Sequence, residues 1–195
     1  TYPIDKGSIK FNEMEVSELP VPVVAKLGLL RTFQQTRIYG KLNCIDNMLI
    51  SNKSSEEGLL SVFSKIPSDL TDKAENLLNF VGLFQKRKLR AGDLSFGQQK
   101  LLELAMGLMN EPKMLLLDEP TAGINPTLIN GIIDRLIKVN NEFGITLLVI
   151  EHNMRVIMQL AQKIFCLAHG KMLANGTPEQ IKNDKRVIDA YLGAQ

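Results

Sequence analysis

The sequence predicts an α/β fold with a largely parallel sheet, and two apolar runs carry that prediction. Residues 114–117 and 145–150 are almost free of polar side chains, which is typical of strands buried on both faces of a sheet. Between them, Ile132, Ile133 and Leu136 recur at the spacing of one helix face. A strand, a helix and a second strand in succession predict parallel pairing, because parallel strands need a long crossover connection.

Both apolar runs end on ionisable residues. The first is followed by Asp118 and Glu119, and the second by Glu151 and His152. In open α/β sheets, ligands bind beside the carboxyl ends of the strands, where carboxylates can serve metal or general-base chemistry. Four apolar residues and two acids alone are equally consistent with a strand that ends in an acidic turn, so the flanking motifs decide between the two interpretations.

The remaining elements follow from start and stop signals. Ser95 is placed to cap a helix that ends near Asn110, and Asn125 with Pro126 begins a helix that ends at Gly144. The N-terminus of the helix that Ser95 caps is also suited to bind an anion. The other predicted elements are a strand at 8–11, a short helix over 23–30, helical stripes at Leu59, Val62, Phe63 and Ile66 and at Ala74, Leu77, Leu78 and Val81, a helix over 153–161, a strand–turn–strand around His169 and Gly170, a capping box at 177–180 and a last helix over 184–193.

Composition limits the class of protein. The chain has 195 residues, of which 45% are hydrophobic and 23% charged, and this suits a globular domain with a substantial core. A net charge of +2 supplies no strong basic footprint for nucleic acid or an anionic membrane. Cys44 and Cys166 lack metal-ligand spacing, so we expect reduced core thiols. No apolar run approaches the roughly 18–20 residues of a membrane-spanning helix.

Four ordered motifs together resemble the nucleotide-binding subunit of ABC transporters. The LSGGQ signature of that family is similar to Leu94-Ser95-Phe96-Gly97-Gln98, in which Phe96 replaces the first glycine. A Walker B segment at 113–120, a D-loop at 121–126 and a switch histidine at His152 follow. Residues 31–34, Asn125 and residues 189–193 are most similar to the ATPase subunits of branched-chain amino acid importers.

The resemblance implies a P-loop NTPase-like, largely parallel sheet with an inserted helical subdomain. Residues 1–40 would form part of the ATPase core with the Q-loop, and residues 41–93 would form the helical subdomain. Residues 94–195 would hold the signature helix, the Walker B strand and the C-terminal part of the core.

The same resemblance implies ATP and Mg²⁺ as cofactors and gives roles to particular residues. Asp118 and Gln34 would lie at the Mg²⁺, Glu119 would be the general base, and His152 would sense the γ-phosphate. The signature residues would contact the nucleotide bound by the opposite subunit of a dimer: Ser95, Phe96, Gly97 and Gln98.

The implied function is the ATP-hydrolysing motor of an importer for branched-chain or related amino acids. Its partners would be a second ATPase subunit, in a homo- or heterodimer, and transmembrane permease subunits, with no nucleic acid. It would lie at the cytoplasmic face of the cell membrane as a peripheral protein. Two alternatives stay open: a non-transport ABC ATPase that acts on DNA or ribosomes, and a non-catalytic fragment.

The non-catalytic alternative rests on the absence of a motif. The phosphate-binding sequence G-x-x-x-x-G-K-[ST] does not occur in the 195 residues. Gly-Lys occurs at 40–41 and 170–171, but Leu42 and Met172 follow, and the first glycine of the motif is missing in both places. We therefore expect ATPase activity from a complete cassette, and none from these 195 residues alone.

Overall fold

The computed structural model describes residues 4–31, 37–52 and 67–191. Its strands are β1 Lys10–Phe11, β2 Met14–Glu15, β3 Leu29–Arg31, β4 Met114–Asp118, β5 Thr146–Ile150, β6 Ile164–Ala168 and β7 Lys171–Gly176. Its α-helices are α1 Val21–Lys26, α2 Cys44–Ile50, α3 Ser68–Phe80, α4 Phe96–Leu108, α5 Pro126–Phe143, α6 Met154–Leu160, α7 Pro178–Lys182 and α8 Lys185–Tyr191.

The central sheet has the strand order β3-β4-β5, and both pairings are parallel. The register pairs Arg31 with Leu116 and Asp118 with Ile150, so the carboxyl ends of the strands lie at one edge. Two antiparallel pairs, β1-β2 and β6-β7, complete the described sheets. The prediction of an α/β fold with parallel pairing across the α5 crossover is confirmed.

The two apolar strands differ in burial, and here the sequence prediction is partly wrong. In β4, Leu115 and Leu117 are buried in the main core, while the alternate residues are only half-buried. In β5, Leu148 and Ile150 on one face are 46% and 61% exposed. The reason is that the core cluster, built with α3, α4 and α5, covers one face of these strands.

The predicted helix over residues 23–30 is also corrected. Helix α1 ends at Lys26, and Gly28 turns the chain with a φ of +100°. The Lys113 N–H donates to the Gly28 carbonyl oxygen at 2.9 Å, so the residues that follow are drawn into the sheet as β3 beside β4. Pairing with a neighbouring strand is a tertiary interaction that helical spacing in an eight-residue window does not reveal.

The helix termini follow the sequence prediction. Asn125 caps α5 by accepting from the Thr127 N–H at 3.1 Å, with Pro126 in the first turn. Gly144 ends α5 in the left-handed region, with a φ of +68°. Thr177 and Gln180 form the predicted capping box of α7. These signals act locally, which is why the sequence reveals them.

The region 41–93 contributes helices α2 and α3 to the main core. Ala74, Leu77 and Leu78 are buried as predicted, and Gly82 follows the end of α3 with a φ of +77°. The predicted stripe at 59–66 lies outside the described residues. The boundaries proposed for the helical subdomain stay predictions.

Both cysteines are buried and free, as expected from the sequence. Burial raises the pKa of the Cys44 and Cys166 thiols, which therefore stay protonated near neutral pH. Among the helices of the described residues, none has the length and apolar character needed to cross a membrane.

Candidate functional site

The candidate site lies at the carboxyl ends of β4 and β5. Here we name two segments: the first loop, residues 119–125, follows β4, and the second loop, residues 151–153, follows β5. The Nδ1 atom of His152 lies 3.2 Å from Oε1 of Glu119. The Glu119 N–H donates to the Ile150 carbonyl oxygen at 2.9 Å. The structure thus brings the predicted general base and the predicted switch histidine into direct contact.

Glu119 has an unusual backbone conformation, with a φ of +48°. A non-glycine residue in this region is strained by about 1–3 kcal/mol and persists only where its surroundings hold it. Its N–H bonds to Ile150, and its carbonyl oxygen accepts from the Ala122 N–H at 3.1 Å. Strain held in this way is typical of functional positions, because it fixes where the side chain points.

Asp118, the predicted magnesium ligand, is paired with Arg31. The Nη2 atom of Arg31 lies 2.9 Å from Oδ2 of Asp118, and the side chains are 56% and 27% exposed. No role for Arg31 followed from the sequence. No signal in the sequence indicated this pair, because residues 23–30 were expected to form a helix and not to lead into a strand parallel to β4.

The donor set at Asp118 suits Mg²⁺. The residues that the structure describes contain no group of three or more His, Cys, Asp or Glu side chains that could hold a metal. A single half-buried carboxylate is nevertheless sufficient for Mg²⁺, which prefers hard oxygen ligands and takes most of them from phosphate and water. Gln34, the second predicted ligand, lies outside the described residues.

The predicted signature segment forms the N-terminus of α4. Ser95 Oγ accepts from the Gln98 N–H at 3.4 Å, and Gln98 Oε1 accepts from the Ser95 N–H at 3.2 Å. Ser95 is therefore the N-cap that the sequence predicts, within a capping box. The nucleotide contacts expected of Ser95 and Gln98 stay predictions.

Phe96 and Gly97 bring the signature segment against the first loop. A Cβ on Gly123, which has a φ of +71°, would lie 3.2 Å from the Phe96 ring. A Cβ on Gly97 would lie 3.3 Å from Leu128 and 3.6 Å from Ile124. Phe96, which stands where the family has a glycine, is 44% exposed and packs on Gly123 of the first loop. Two parts of the site that are far apart in sequence are thus in contact.

Glu151 joins the two loops, a role that did not follow from the sequence. Its Oε1 accepts from the backbone N–H of Thr121 at 3.1 Å and from the Thr121 hydroxyl. Its Oε2 accepts from the Asn153 N–H at 3.3 Å. The only signal in the sequence was a second acid directly before the histidine.

Two family models match the chain. The model described as "ABC transporter" matches residues 1–122, and the model described as "Branched-chain amino acid ATP-binding cassette transporter" matches residues 171–195. The first covers more than half of the chain and includes the signature segment and most of the first loop.

Several curated proteins are similar over almost the whole chain. The high-affinity branched-chain amino acid transport ATP-binding protein LivG of Escherichia coli (strain K12) is 35% identical over 194 residues, which are 96% of this chain and 76% of the relative. The corresponding protein BraF of Pseudomonas aeruginosa is 34% identical, with 96% of this chain and 76% of the relative covered. A probable LivG of Archaeoglobus fulgidus is 32% identical, with 100% and 77% covered.

Solved structures agree with the sequence relatives. The ADP conformation of an ATP-binding cassette of an ABC transporter is similar with a TM-score of 0.82 and 31% identity, over 97% of this chain and 78% of that chain. A nucleotide-free ATP-binding cassette gives a TM-score of 0.82 and 29% identity, over the same shares. These likenesses confirm the P-loop NTPase-like fold class. The chain belongs to the ABC transporter family, whose ATP-binding cassettes bind and hydrolyse nucleotide.

Proposed function

We propose that the chain is the ATP-hydrolysing subunit of an importer for branched-chain or related amino acids. The observation that carries the hydrolytic part of the proposal is the 3.2 Å contact between Glu119 and His152 at the ends of two parallel strands. A carboxylate and an imidazole held together at this edge of an α/β sheet suit the activation of a water molecule beside a bound nucleotide.

The chemistry at this edge is mainly positioning and charge stabilisation, as in other phosphoryl transfers. Asp118 would hold Mg²⁺, which neutralises charge on the phosphates when it is bound. Glu119 orients the attacking water and accepts its proton. His152 is 74% exposed, so its imidazole can reach the γ-phosphate from the rim of the site. Gln34 would approach the same magnesium from the Q-loop.

The signature segment acts on a nucleotide bound by a second ATPase subunit. The N-terminus of α4 presents backbone N–H groups and the positive end of a helix dipole, which favour phosphate. Ser95, Phe96, Gly97 and Gln98 would make these contacts in a homo- or heterodimer. The packing of Phe96 on Gly123 supports a shared surface, because the signature segment and the D-loop then face the partner together.

The names of the relatives support the proposed solute. LivG and BraF are named as branched-chain amino acid transport proteins, and residues 171–195 match a family model of the same description. The chain would bind transmembrane permease subunits through the helical subdomain at 41–93, as a peripheral protein on the cytoplasmic face of the membrane. Residues 1–40 and 94–195 would form the ATPase core.

The test is transport by the complete cassette assembled with its permease subunits in proteoliposomes. We expect ATP-dependent uptake of leucine, isoleucine or valine, lost with Glu119→Gln and kept with Glu179→Gln, a matched change of an exposed acid in α7. ATP hydrolysis without stimulation by any of these amino acids would contradict the proposed solute. Uptake that survives Glu119→Gln would contradict the proposed site.

A further inference from the structure

The carboxylate of Glu151 is shared between the two loops that carry Glu119 and His152. Its two oxygens are divided: Oε1 serves Thr121 in the first loop, and Oε2 serves Asn153 in the second. A carboxylate can accept several hydrogen bonds at once, and such charge-assisted bonds are stronger than neutral ones. Glu151 therefore acts as one acceptor that ties together two segments about thirty residues apart in sequence.

The groups that Glu151 holds lie next to the proposed reacting residues. Thr121 is two positions after Glu119, and Asn153 directly follows His152. Thr121 is only 5% exposed, so its bonds to Glu151 are largely shielded from competing water. Asn153 also caps α6 by accepting from the Arg155 N–H at 3.1 Å, which anchors the second loop to a helix. A displacement of the Glu151 side chain would thus shift both Thr121, near Glu119, and Asn153, next to His152.

The backbone of Glu119 needs such support. A residue with a φ of +48° relaxes to an unstrained conformation unless neighbouring contacts prevent it. The bond from its N–H to Ile150 holds one end of the first loop on β5, and the bonds of Thr121 to Glu151 hold the next two residues on the second loop. Without the second attachment, the loop can pivot about the first.

We propose that Glu151 is a positioning residue for ATP hydrolysis: it holds the first loop against the second and thereby sets the contact between Glu119 and His152. It acts through Thr121 and Asn153 and makes no contact with the nucleotide. The proposal rests on the proposed function, because it gives Glu151 a part in the same reaction.

The kinetic test is Glu151→Gln in the complete, dimeric cassette. Glutamine keeps the shape and one oxygen, but its NH₂ group must face either the Thr121 or the Asn153 N–H, so one attachment is lost. We expect kcat to fall about 10- to 100-fold, the loss of one charge-assisted bond expressed in the transition state. KM for ATP should stay within about threefold, because the ground-state nucleotide contacts are untouched.

A matched control separates positioning from general loss of stability. Asp184 also accepts a backbone N–H in a loop, from Arg186 at 2.9 Å, but it lies between α7 and α8. We expect Asp184→Asn to leave kcat within about twofold. Equal losses of kcat in Glu151→Gln and Asp184→Asn, or a rise in KM that accounts for the whole effect of Glu151→Gln, would overturn the proposal.

A second pair of variants tests the same bond from the other side. Thr121→Ser keeps the hydroxyl that donates to Glu151, and Thr121→Val removes it with little change in shape. We expect Thr121→Ser to retain kcat and Thr121→Val to lower it. In the double variant Thr121→Val/Glu151→Ala, the loss should be smaller than the sum of the losses in Thr121→Val and Glu151→Ala, because truncation at position 151 already removes the acceptor of the Thr121 hydroxyl. Additive losses would show that the two residues act independently and would overturn the proposal.

A readout that needs no activity distinguishes this proposal from the proposed function. In NMR spectra, Glu151→Gln should shift the imidazole signals of His152 and speed hydrogen exchange at the Thr121 or the Asn153 amide, whichever faces the new NH₂ group, whereas Asp184→Asn should do neither. Unchanged His152 signals would overturn the positioning role. The wild-type cassette could hydrolyse no ATP while Glu151→Gln still changes these signals relative to the wild type. That result would contradict the proposed function and leave the loop attachment established.

Discussion

Strands β4 and β5 are neighbours with nearly the same sequence pattern, yet they differ in burial and in the use of their terminal acids. β4 lies between two strands, and Leu115 and Leu117 are 1% and 3% exposed. β5 pairs only with β4 within the described residues, and its Ile150 is 61% exposed. An apolar run thus indicates a strand, but its place in the sheet decides how much of it is buried.

The terminal acids differ in the same way. Asp118 and Glu119 at the end of β4 face the rim of the site, where they contact Arg31 and His152. Glu151 at the end of β5 turns towards backbone and hydroxyl donors of both loops. Acids that we propose for chemistry thus end β4, whereas an acid that we propose to hold the loops follows β5. Four sets of substitutions test the differences between the two strands.

The largest effect is expected at Glu119 itself. In the complete cassette, Glu119→Gln should lower kcat about 10²–10⁴-fold, the usual cost of losing a general base, while ATP stays bound because the amide has nearly the same shape. Stopped-flow measurement of ATP hydrolysis, with nucleotide retention measured by filtration, checks both. The loss of kcat should exceed the loss in Glu151→Gln. A larger loss in Glu151→Gln would contradict the roles proposed for Glu119 and Glu151.

Side-chain truncation should distinguish the interiors of the two strands. Leu117→Ala removes a buried side chain from the core beneath β4 and should lower the free energy of unfolding by about 2–5 kcal/mol. Leu148→Ala in β5, at a position 46% exposed, should cost about 0.5 kcal/mol. Urea denaturation of the same polypeptide measures both. Equal losses would mean that the outer face of β5 is covered in solution.

Substitution of two glycines compares the loop after β4, which contains Gly123, with the turn before β5, which contains Gly144. Gly123→Ala and Gly144→Ala both place a side chain at positive φ, +71° and +68°, and each should cost about 1–2 kcal/mol of unfolding free energy. Only the alanine at 123 meets the Phe96 ring, so only Gly123→Ala should also slow ATP hydrolysis. Thermal unfolding and steady-state ATPase assays measure the two effects, and a slow Gly144→Ala enzyme would contradict the assignment to Phe96.

The smallest effect is expected at Arg31. Its ion pair with Asp118 is largely solvent-exposed, so Arg31→Ala should change the free energy of unfolding by less than about 1 kcal/mol, and less at high salt. Arg186→Ala, which removes a comparably exposed pair with Asp184, is the matched control. Urea denaturation at two salt concentrations measures both variants. A much larger loss of unfolding free energy for Arg31→Ala than for Arg186→Ala would show that the Arg31–Asp118 pair stabilises the fold more than an exposed ion pair does.

Local signals in the sequence were sufficient for the helix termini. Ser95, Asn125 and Gly144 act within one helical turn, so their residue types predict the caps that the structure shows. The apolar runs before Asp118 and before Glu151 likewise predicted the strands and the parallel order that brings their ends together.

What the sequence by itself determined is therefore the α/β class, the caps, the order of the motifs and the membership of the ABC transporter family. Only the tertiary structure decided that Leu29 and Leu30 belong to a strand, that one face of β5 is exposed among the described residues, and that Glu151 binds Thr121. Helix caps depend on neighbours within four residues, whereas these features depend on contacts between residues some thirty to ninety positions apart.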